Sequence, residues 1–151
     1  MKPVPTNEDR IWAVIAHLSA IAFGMGILLP VIGWSEQRRK SNYTSFQCLQ
    51  ALGYQSLGYT VWFLVYLLVA VILVIIIVIA LPMVAAENVQ FDQFMLGWMS
   101  ILIVFMFGML AVYLLLPVIA AVSCAFGRDF HYPILGERLA HYLGYDPIGN
   151  S

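Results

Sequence analysis

Residues 61–81 form an unbroken apolar run, VWFLVYLLVAVILVIIIVIAL, which restricts the chain to very few folds. A helix needs about 20 apolar residues to cross the hydrocarbon core of a bilayer, and this run is long enough alone. Lipid offers no hydrogen bonds to a strand edge, so the backbone must satisfy its polar groups within one helix despite the many Val and Ile side chains. The run therefore predicts a transmembrane helix.

The distribution of charge extends this prediction to most of the chain. All seven basic and eight acidic residues lie outside three uncharged blocks, residues 11–35, 41–86 and 93–127. The chain is 62% hydrophobic and 10% charged, so it has no room for a separate catalytic domain. We predict an all-α integral membrane protein with three parts: a polar N-terminus (1–10), a single helical membrane domain (11–127) and a cytoplasmic tail (128–151).

The three blocks predict three crossings, at about 11–34, 60–82 and 95–126. A straight helix over 11–34 would be about 36 Å long at ~1.5 Å per residue, which is enough to cross. Gly24, Gly26 and Pro30 weaken its second half, however, so a re-entrant hairpin that returns to its own side is the alternative.

The middle block is too long for one crossing. Its residues 41–86 would span roughly 69 Å as one helix, against a hydrocarbon core of about 30 Å, so we expect the block to divide. Residues 43–59 mix aromatic and amide side chains, which predicts an interfacial helix before the second crossing. Gly58 is the expected bend.

Basic residues predict the orientation. With three crossings, one face receives Lys2 and Arg10, and the other receives Arg38, Arg39, Lys40, Arg128 and Arg138. The richer face is expected to be cytoplasmic. This predicts a multi-pass protein of the bacterial inner (cytoplasmic) membrane with a cytoplasmic C-terminus, and the re-entrant alternative would place all seven basic residues in the cytoplasm.

Several residues are candidates for helix packing or for contact with a partner. Small residues would let helices approach closely where lipid supplies no hydrophobic drive. An amide-rich face would form a polar seam, against a partner or against the first helix, or would line a cavity. The small residues are Ala16, Ala20, Gly24, Ala120 and Cys124, and the polar face is Gln47, Gln50 and Tyr54.

The tail predicts a short amphipathic helix. It begins after the turn at Tyr132-Pro133 and ends at Gly144, with Leu135, Leu139 and Tyr142 on one face. Such a helix is expected to lie on the membrane or on a partner.

Residues that carry chemistry are scarce. The chain shows no Ser-His-acid set, paired carboxylates, phosphate loop or metal cluster, so we predict a protein that is not an enzyme, with no cofactor and no metal. His17 is the one imidazole within an apolar block. It is either a structural hydrogen-bonding group or, as a lesser alternative, an axial ligand of a tetrapyrrole.

Three segments in this order resemble a known family: EDRIWAVIAHLS (8–19), SFQCLQAL (45–52) and GRDFHYPIL (127–135). They resemble the bacterial domain-of-unknown-function family numbered forty-eight seventy, which is distantly similar to the membrane component of the chloroplast inner-envelope import translocon (Tic). The resemblance implies a small multi-pass inner-membrane protein without known enzymatic activity, and a role in transport through the distant relative alone.

The expected function is that of an accessory or scaffold subunit in a larger membrane complex. Its partners would be other integral membrane subunits and the lipid bilayer, with no nucleic acid and no small-molecule substrate. The alternatives are a Tic-like translocation or permeation component and a tetrapyrrole-binding membrane subunit.

Overall fold

A computed structural model of the chain describes residues 4–22, 25–85 and 90–145. All regular structure in those ranges is helical, which confirms the predicted class. Five α-helices follow one another, and two short 3₁₀ turns, Ser19–Ala22 and Met25–Ile27, separate the first pair. The helices are α1 (Asn7–Leu18), α2 (Leu28–Gln37), α3 (Asn42–Ala85), α4 (Gln90–Ala125) and α5 (Leu135–Leu143).

The start of α1 is fixed by a capping box. The Thr6 hydroxyl accepts from the Asp9 backbone N–H at 3.2 Å, and the Asp9 carboxylate accepts from the Thr6 N–H at 2.8 Å. Thr44, on α3, donates to the other oxygen of Asp9 at 2.7 Å. Burial raises the pKa of Asp9, but hydrogen bonds from Ser41, Thr6 and Thr44 outweigh it and lower the pKa overall. This cap therefore also joins α1 to α3.

The first apolar block folds as a helical hairpin, so the predicted straight helix over 11–34 is wrong and a third crossing is not shown. The side-chain amide of Gln37, at the end of α2, donates to the carboxylate of Glu8 at 3.0 Å, which brings the two ends of the block together. Gly26 permits the turn, because a Cβ there would collide with the backbone carbonyl of Ser19. The geometry is that of the re-entrant alternative.

The middle block is one helix of 44 residues, so the predicted division into an interfacial helix and a separate crossing helix is wrong. At about 1.5 Å per residue, α3 is roughly 66 Å long. Gly58 has another role, because a Cβ on it would collide with the ring of Tyr113. The two halves of the block differ in burial: many side chains before Gly58 are buried, and most beyond it are exposed.

The chain forms two compact units, Met1–Gly58 with Tyr113–Ser151, and Tyr59–Val112. In the second unit the large apolar side chains point outward, including Phe63, Leu68 and Val104, each at least 60% exposed. Two stretches in the described residues are long and apolar enough to cross a membrane, Asn42–Pro82 and Met95–Ala125. Only 6% of each most apolar window is buried, which is typical of helices that face lipid and not of a soluble core.

The last spanning helix and the tail end as the sequence predicts. Gly127 follows α4 at φ 71°, and the Gly127 and Arg128 N–H groups donate to the carbonyls of Cys124 and Ser123 at 2.9 and 3.0 Å. These two bonds are a Schellman motif, which closes the open carbonyls of the helix end. The short helix α5 ends at Gly144, which adopts φ 60°.

The hairpin predicts a specific sidedness. Single cysteines replacing Asn7 and Arg39, both exposed, should react from the same side of the membrane with an impermeant thiol reagent, and a cysteine replacing exposed Gln93 should react from the other side. The parent protein is the blank, because native Cys48 and Cys124 are both 0% exposed. Labelling of Asn7→Cys and Arg39→Cys from opposite sides would restore the three-crossing arrangement.

Candidate functional site

Buried polar side chains gather in the first unit where α1, α3 and the segment after α4 meet. Apolar surroundings make an unpaired polar group costly, so such a cluster must satisfy its own hydrogen bonds. We call it the polar core. His17, Gln47, Gln50 and Gln55 are each 0% exposed, Tyr132 is 2% exposed and the Asp129 side chain is 4% exposed.

His17 is held at both ring nitrogens. Its Nδ1 lies 3.0 Å from the Tyr132 hydroxyl, and its Nε2 lies 3.1 Å from Oε1 of Gln47. The amide nitrogen of Gln47 faces two oxygens, those of the Asp129 carboxylate (2.7 Å) and the Phe130 carbonyl (3.3 Å), so its oxygen must face His17. It follows that Nε2 carries the proton, and that Nδ1 accepts from Tyr132.

Gln50 binds the backbone of the segment after α4. Its amide nitrogen donates to the Phe130 carbonyl at 2.9 Å, and its Oε1 accepts from the Tyr132 N–H at 3.0 Å. The Tyr132 ring then stacks on Tyr54, one helical turn further along α3, with centroids 4.4 Å apart. Two amides and one ring of α3 therefore hold residues 129–132 in a single conformation.

A second amide contact joins α3 to the end of α1. The Gln55 nitrogen donates to the Ser19 hydroxyl at 2.9 Å and to the Ala16 carbonyl at 3.3 Å. Ser19 also donates to that carbonyl, at 2.7 Å. These bonds satisfy the backbone where α1 gives way to the first 3₁₀ turn.

The outer end of the polar core is the carboxylate of Asp129. Its Oδ2 accepts from the Tyr145 hydroxyl at 2.9 Å and lies 3.9 Å from Nε2 of His131. Burial, and then the nearby Asp129 charge, raise the pKa of Tyr145, so that hydroxyl remains a donor. Phe46 stacks on the Tyr145 ring at 4.1 Å between centroids. The chain beyond α5 is thereby tied back to α3.

The charge state of His17 agrees with this geometry. Burial penalises the imidazolium and lowers the pKa of His17 to about 4, and the hydrogen bond with Gln47 opposes this only in part. Burial likewise raises the pKa of Tyr132, the donor to Nδ1. The core is thus built around a neutral imidazole.

The predicted polar seam exists, and its partner is the chain itself. Gln47 contacts His17 of the first helix, which was one of the alternatives for the polar face. Gln50 and Tyr54 contact the segment after α4. The predicted small residues Ala16, Ala20, Ala120 and Cys124 are at most 1% exposed, so the chain itself covers these positions. Gly24 lies outside the described residues.

The predicted face of α5 is only partly in contact. Leu135 packs near Gly53 of α3, and Leu139 is half-buried. Tyr142 is 87% exposed, and the buried residues of the helix are Gly136 and Ala140. The contact face is therefore rotated toward the small residues, because Gly136 must approach the oxygen of Gln50 closely.

Sequence reasoning missed Asp129, Tyr132 and Gln55 as members of the core. A signal was available in DFHY (129–132), where a carboxylate and two polar rings follow an apolar helix directly. Its partners lie about 80 to 115 positions earlier in the chain, and no local pattern links them.

The contacts of the polar core are typical of a structural hydrogen-bond network and not of a ligand-binding site. Both His17 nitrogens are engaged and the side chain is fully buried, so the proposed axial ligation of a tetrapyrrole is not supported. Among the described residues, no three His, Cys, Asp or Glu side chains are grouped to hold a metal ion. Cys48 and Cys124 are free and buried, as expected of packed thiols.

Replacing Gln50 by Leu should lower the free energy of unfolding by about 1–3 kcal/mol, because the buried Tyr132 N–H would lose its acceptor and the Phe130 carbonyl would lose the closer of its two donors. Unfolding in detergent micelles, followed by circular dichroism, measures the change. The matched control is Gln93→Leu at an exposed position, which should stay within roughly 0.5 kcal/mol of the parent. Equal stability of the two variants would contradict the role given to Gln50.

Stability should also depend on pH through His17. The folded pKa of about 4 lies below the ordinary 6.5, so the unfolded chain binds the proton more readily between these values. The contribution of neutral His17 is complete above pH 6.5 and is lost as the pH falls to about 4. At roughly 1.4 kcal/mol per pKa unit, the loss approaches about 3 kcal/mol.

The variant His17→Gln isolates this effect, since it removes the titrating group and leaves the carboxylates in place. Its stability should fall less steeply than that of the parent between pH 6.5 and 4. Parallel pH profiles for the two proteins would show that His17 is not the group responsible.

Comparison with known proteins corrects the resemblance drawn from the sequence. No curated protein and no solved structure matches the chain. A family model does match, over residues 8–139, and it is that of the magnetosome magnetite crystal formation protein family, MamF/MmsF. The assignment to family forty-eight seventy and to Tic-like proteins was therefore wrong, and the translocation alternative that depended on it is not supported. Because the match covers most of its length, the chain belongs to the MamF/MmsF magnetosome magnetite crystal formation family.

Proposed function

We propose that this protein is a small, non-catalytic membrane component that acts in magnetite crystal formation. The observation that carries the proposal is the family match over residues 8–139, which includes the hairpin, both candidate spanning helices and the polar core. The lipid-like exposure of the second unit supports a location in a membrane.

The proposal of a non-catalytic role is supported by how the polar groups are used. Two side chains with catalytic potential in the first unit, His17 and Asp129, bind neighbouring side chains of the same unit. A general base or nucleophile must reach a substrate, and His17 is fully buried. Such a core favours a framework that holds helices in place.

The proposed orientation of the protein in the membrane rests on the position of its basic residues, several of which lie at one end of the first unit. Arg10 packs on Gly127, the Tyr43 hydroxyl donates to the Arg128 carbonyl, and the Glu8 contact with Gln37 brings the chain just before Arg38 to the same place. The positive-inside rule favours a cytoplasmic position for this end. We therefore propose that both termini of the membrane domain face the cytoplasm.

An accessory role requires a surface for other membrane subunits. The small-residue positions 16, 20, 120 and 124 no longer support one, because the chain covers them. Gly97 and Gly108 on α4 support one better, since a Cβ at either would meet nothing within 4 Å and they lie about three turns apart on one face. Exposed glycines in a lipid-facing helix allow a second helix to approach closely.

The proposed function predicts a crystal phenotype. In a magnetite-forming bacterium that lacks its own family member, the parent protein should restore the number and dimensions of the crystals, as measured by electron microscopy. Gln93→Leu should restore them equally. Gln50→Leu should restore them less, in proportion to the folded protein that remains in the membrane fraction.

Membrane-inserted parent protein that leaves crystal number and size unchanged would contradict the proposal. Equal restoration by Gln50→Leu at a reduced folded fraction would show that the polar core is not needed for the role.

A further inference from the structure

A groove of about 390 Å³ opens on the first unit between α1 and the end of α4. One end of its lining is polar and the other is apolar. The polar residues belong to the first turn of α1, and the apolar ones follow along the next two turns and on α4. The lining residues are Asn7, Arg10, Ile11, Val14, Ile15 and Ala125.

Arg10 brings a positive charge to the polar end of this groove. Its guanidinium lies against Gly127, where a Cβ would come within 2.9 Å of Cζ, Nε and Nη2. Its Nε is buried and has no hydrogen-bond partner. The guanidinium therefore brings donor capacity that the chain itself does not fully satisfy to the polar end of the groove.

The level of the groove relative to the membrane indicates which kind of acceptor would bind there. Ala125 is the last residue of the candidate span Met95–Ala125, and Gly127, beneath the guanidinium, comes two residues later. The guanidinium therefore lies just beyond the apolar span, at the level where lipid headgroups begin. Ile11 and Ile15, one helical turn apart, are 58% and 39% exposed and line the way from this level into the apolar region.

We propose that the groove binds one anionic phospholipid. The phosphate accepts from the Arg10 guanidinium, which offers a planar set of donors suited to phosphate, and from the side-chain amide of Asn7. An acyl chain lies along Ile11, Ile15 and Ala125. A free phosphate ion would leave this apolar part of the lining uncovered, whereas a phospholipid matches both ends of the groove. The site is independent of the role in crystal formation, because it rests on this groove alone.

The competing explanation is a general attraction between basic residues and an anionic leaflet. Arg38, Arg39 and Lys40 are exposed, and the Gln37–Glu8 contact places them near the same end of the unit. Loss of any one of them would weaken a general attraction about equally. A single groove predicts that Arg10 alone matters among these charges.

The test uses the full chain purified in a neutral detergent, with bound phosphatidylglycerol counted by native mass spectrometry during a lipid titration. The parent should bind one phosphatidylglycerol at least roughly tenfold more tightly than phosphatidylcholine, and inorganic phosphate at millimolar concentration should not displace it. Arg10→Gln should lose this preference. Arg39→Gln, with the same change of charge, should keep it.

Ala125→Phe provides a second variant that leaves Arg10 intact. It fills the apolar end of the groove at an exposed position, so it should weaken phosphatidylglycerol binding by roughly tenfold as well. Size-exclusion chromatography and helical content identify folded variants, and if Arg10→Gln does not fold, Ala125→Phe and the competition experiments on the parent decide.

Several results would overturn the proposal. The first is equal affinity of the parent for the two lipids, and the second is displacement by inorganic phosphate, which would indicate an ion site without an acyl chain. The third is retention of the phosphatidylglycerol preference by either folded groove variant, or an equal loss in Arg39→Gln. A stable dimer whose formation excludes the lipid would assign the groove to a second copy of the chain and would overturn it too.

Discussion

The hydrogen bond between His17 and Gln47 is the contact on which the first unit depends. It joins α1 to α3 through two side chains that are each 0% exposed, and with the Gln47 oxygen facing His17 the Gln47 nitrogen faces Asp129 and Phe130. The oxygens of Asp129 and Phe130 thus set the orientation of this amide, and the amide sets the tautomer of the imidazole and ties the segment after α4 to α3. Polar networks of this kind specify a single arrangement because every partly satisfied alternative is costly.

The network also explains why small residues and glycines stand where they do. Ala13, Ala16 and Cys124 allow the helices to come close enough for the side chains of the polar core to reach one another. Gly136 brings α5 against the Gln50 oxygen, and Gly58 leaves room for the Tyr113 ring. Close approach and buried hydrogen bonds are therefore two parts of the same solution to packing helices where the hydrophobic effect is weak.

Local features were predictable from the sequence. The Thr6 cap, the end of α5 at Gly144 and the apolar spans each depend on residues within a few turns of one another, and the structure has them. The hairpin was only an alternative, because Gly26 and Pro30 permit a turn without requiring one. It is decided by the Gln37–Glu8 contact, which no periodicity reveals.

Only one side of the candidate site was predictable, because the other side comes from distant parts of the chain. The amide face of α3 is visible as a pattern of Gln47, Gln50 and Tyr54, but its partners lie far along the chain. The family was misjudged from short motifs that fit more than one group of small membrane proteins, and only comparison over residues 8–139 corrected it.

The distance along the chain between His17 and Tyr132 has a consequence for how the protein is made. The two residues are 115 positions apart, and at about 5–20 residues per second the ribosome needs on the order of ten seconds to add the second after the first. During this interval His17 and Gln50 lack the partners that Phe130 and Tyr132 supply in the finished protein. The first unit can close only when the segment 129–132 has emerged, so its assembly follows the synthesis of both long helices. A nascent chain of this kind passes through a stage in which its membrane helices exist before its polar core does.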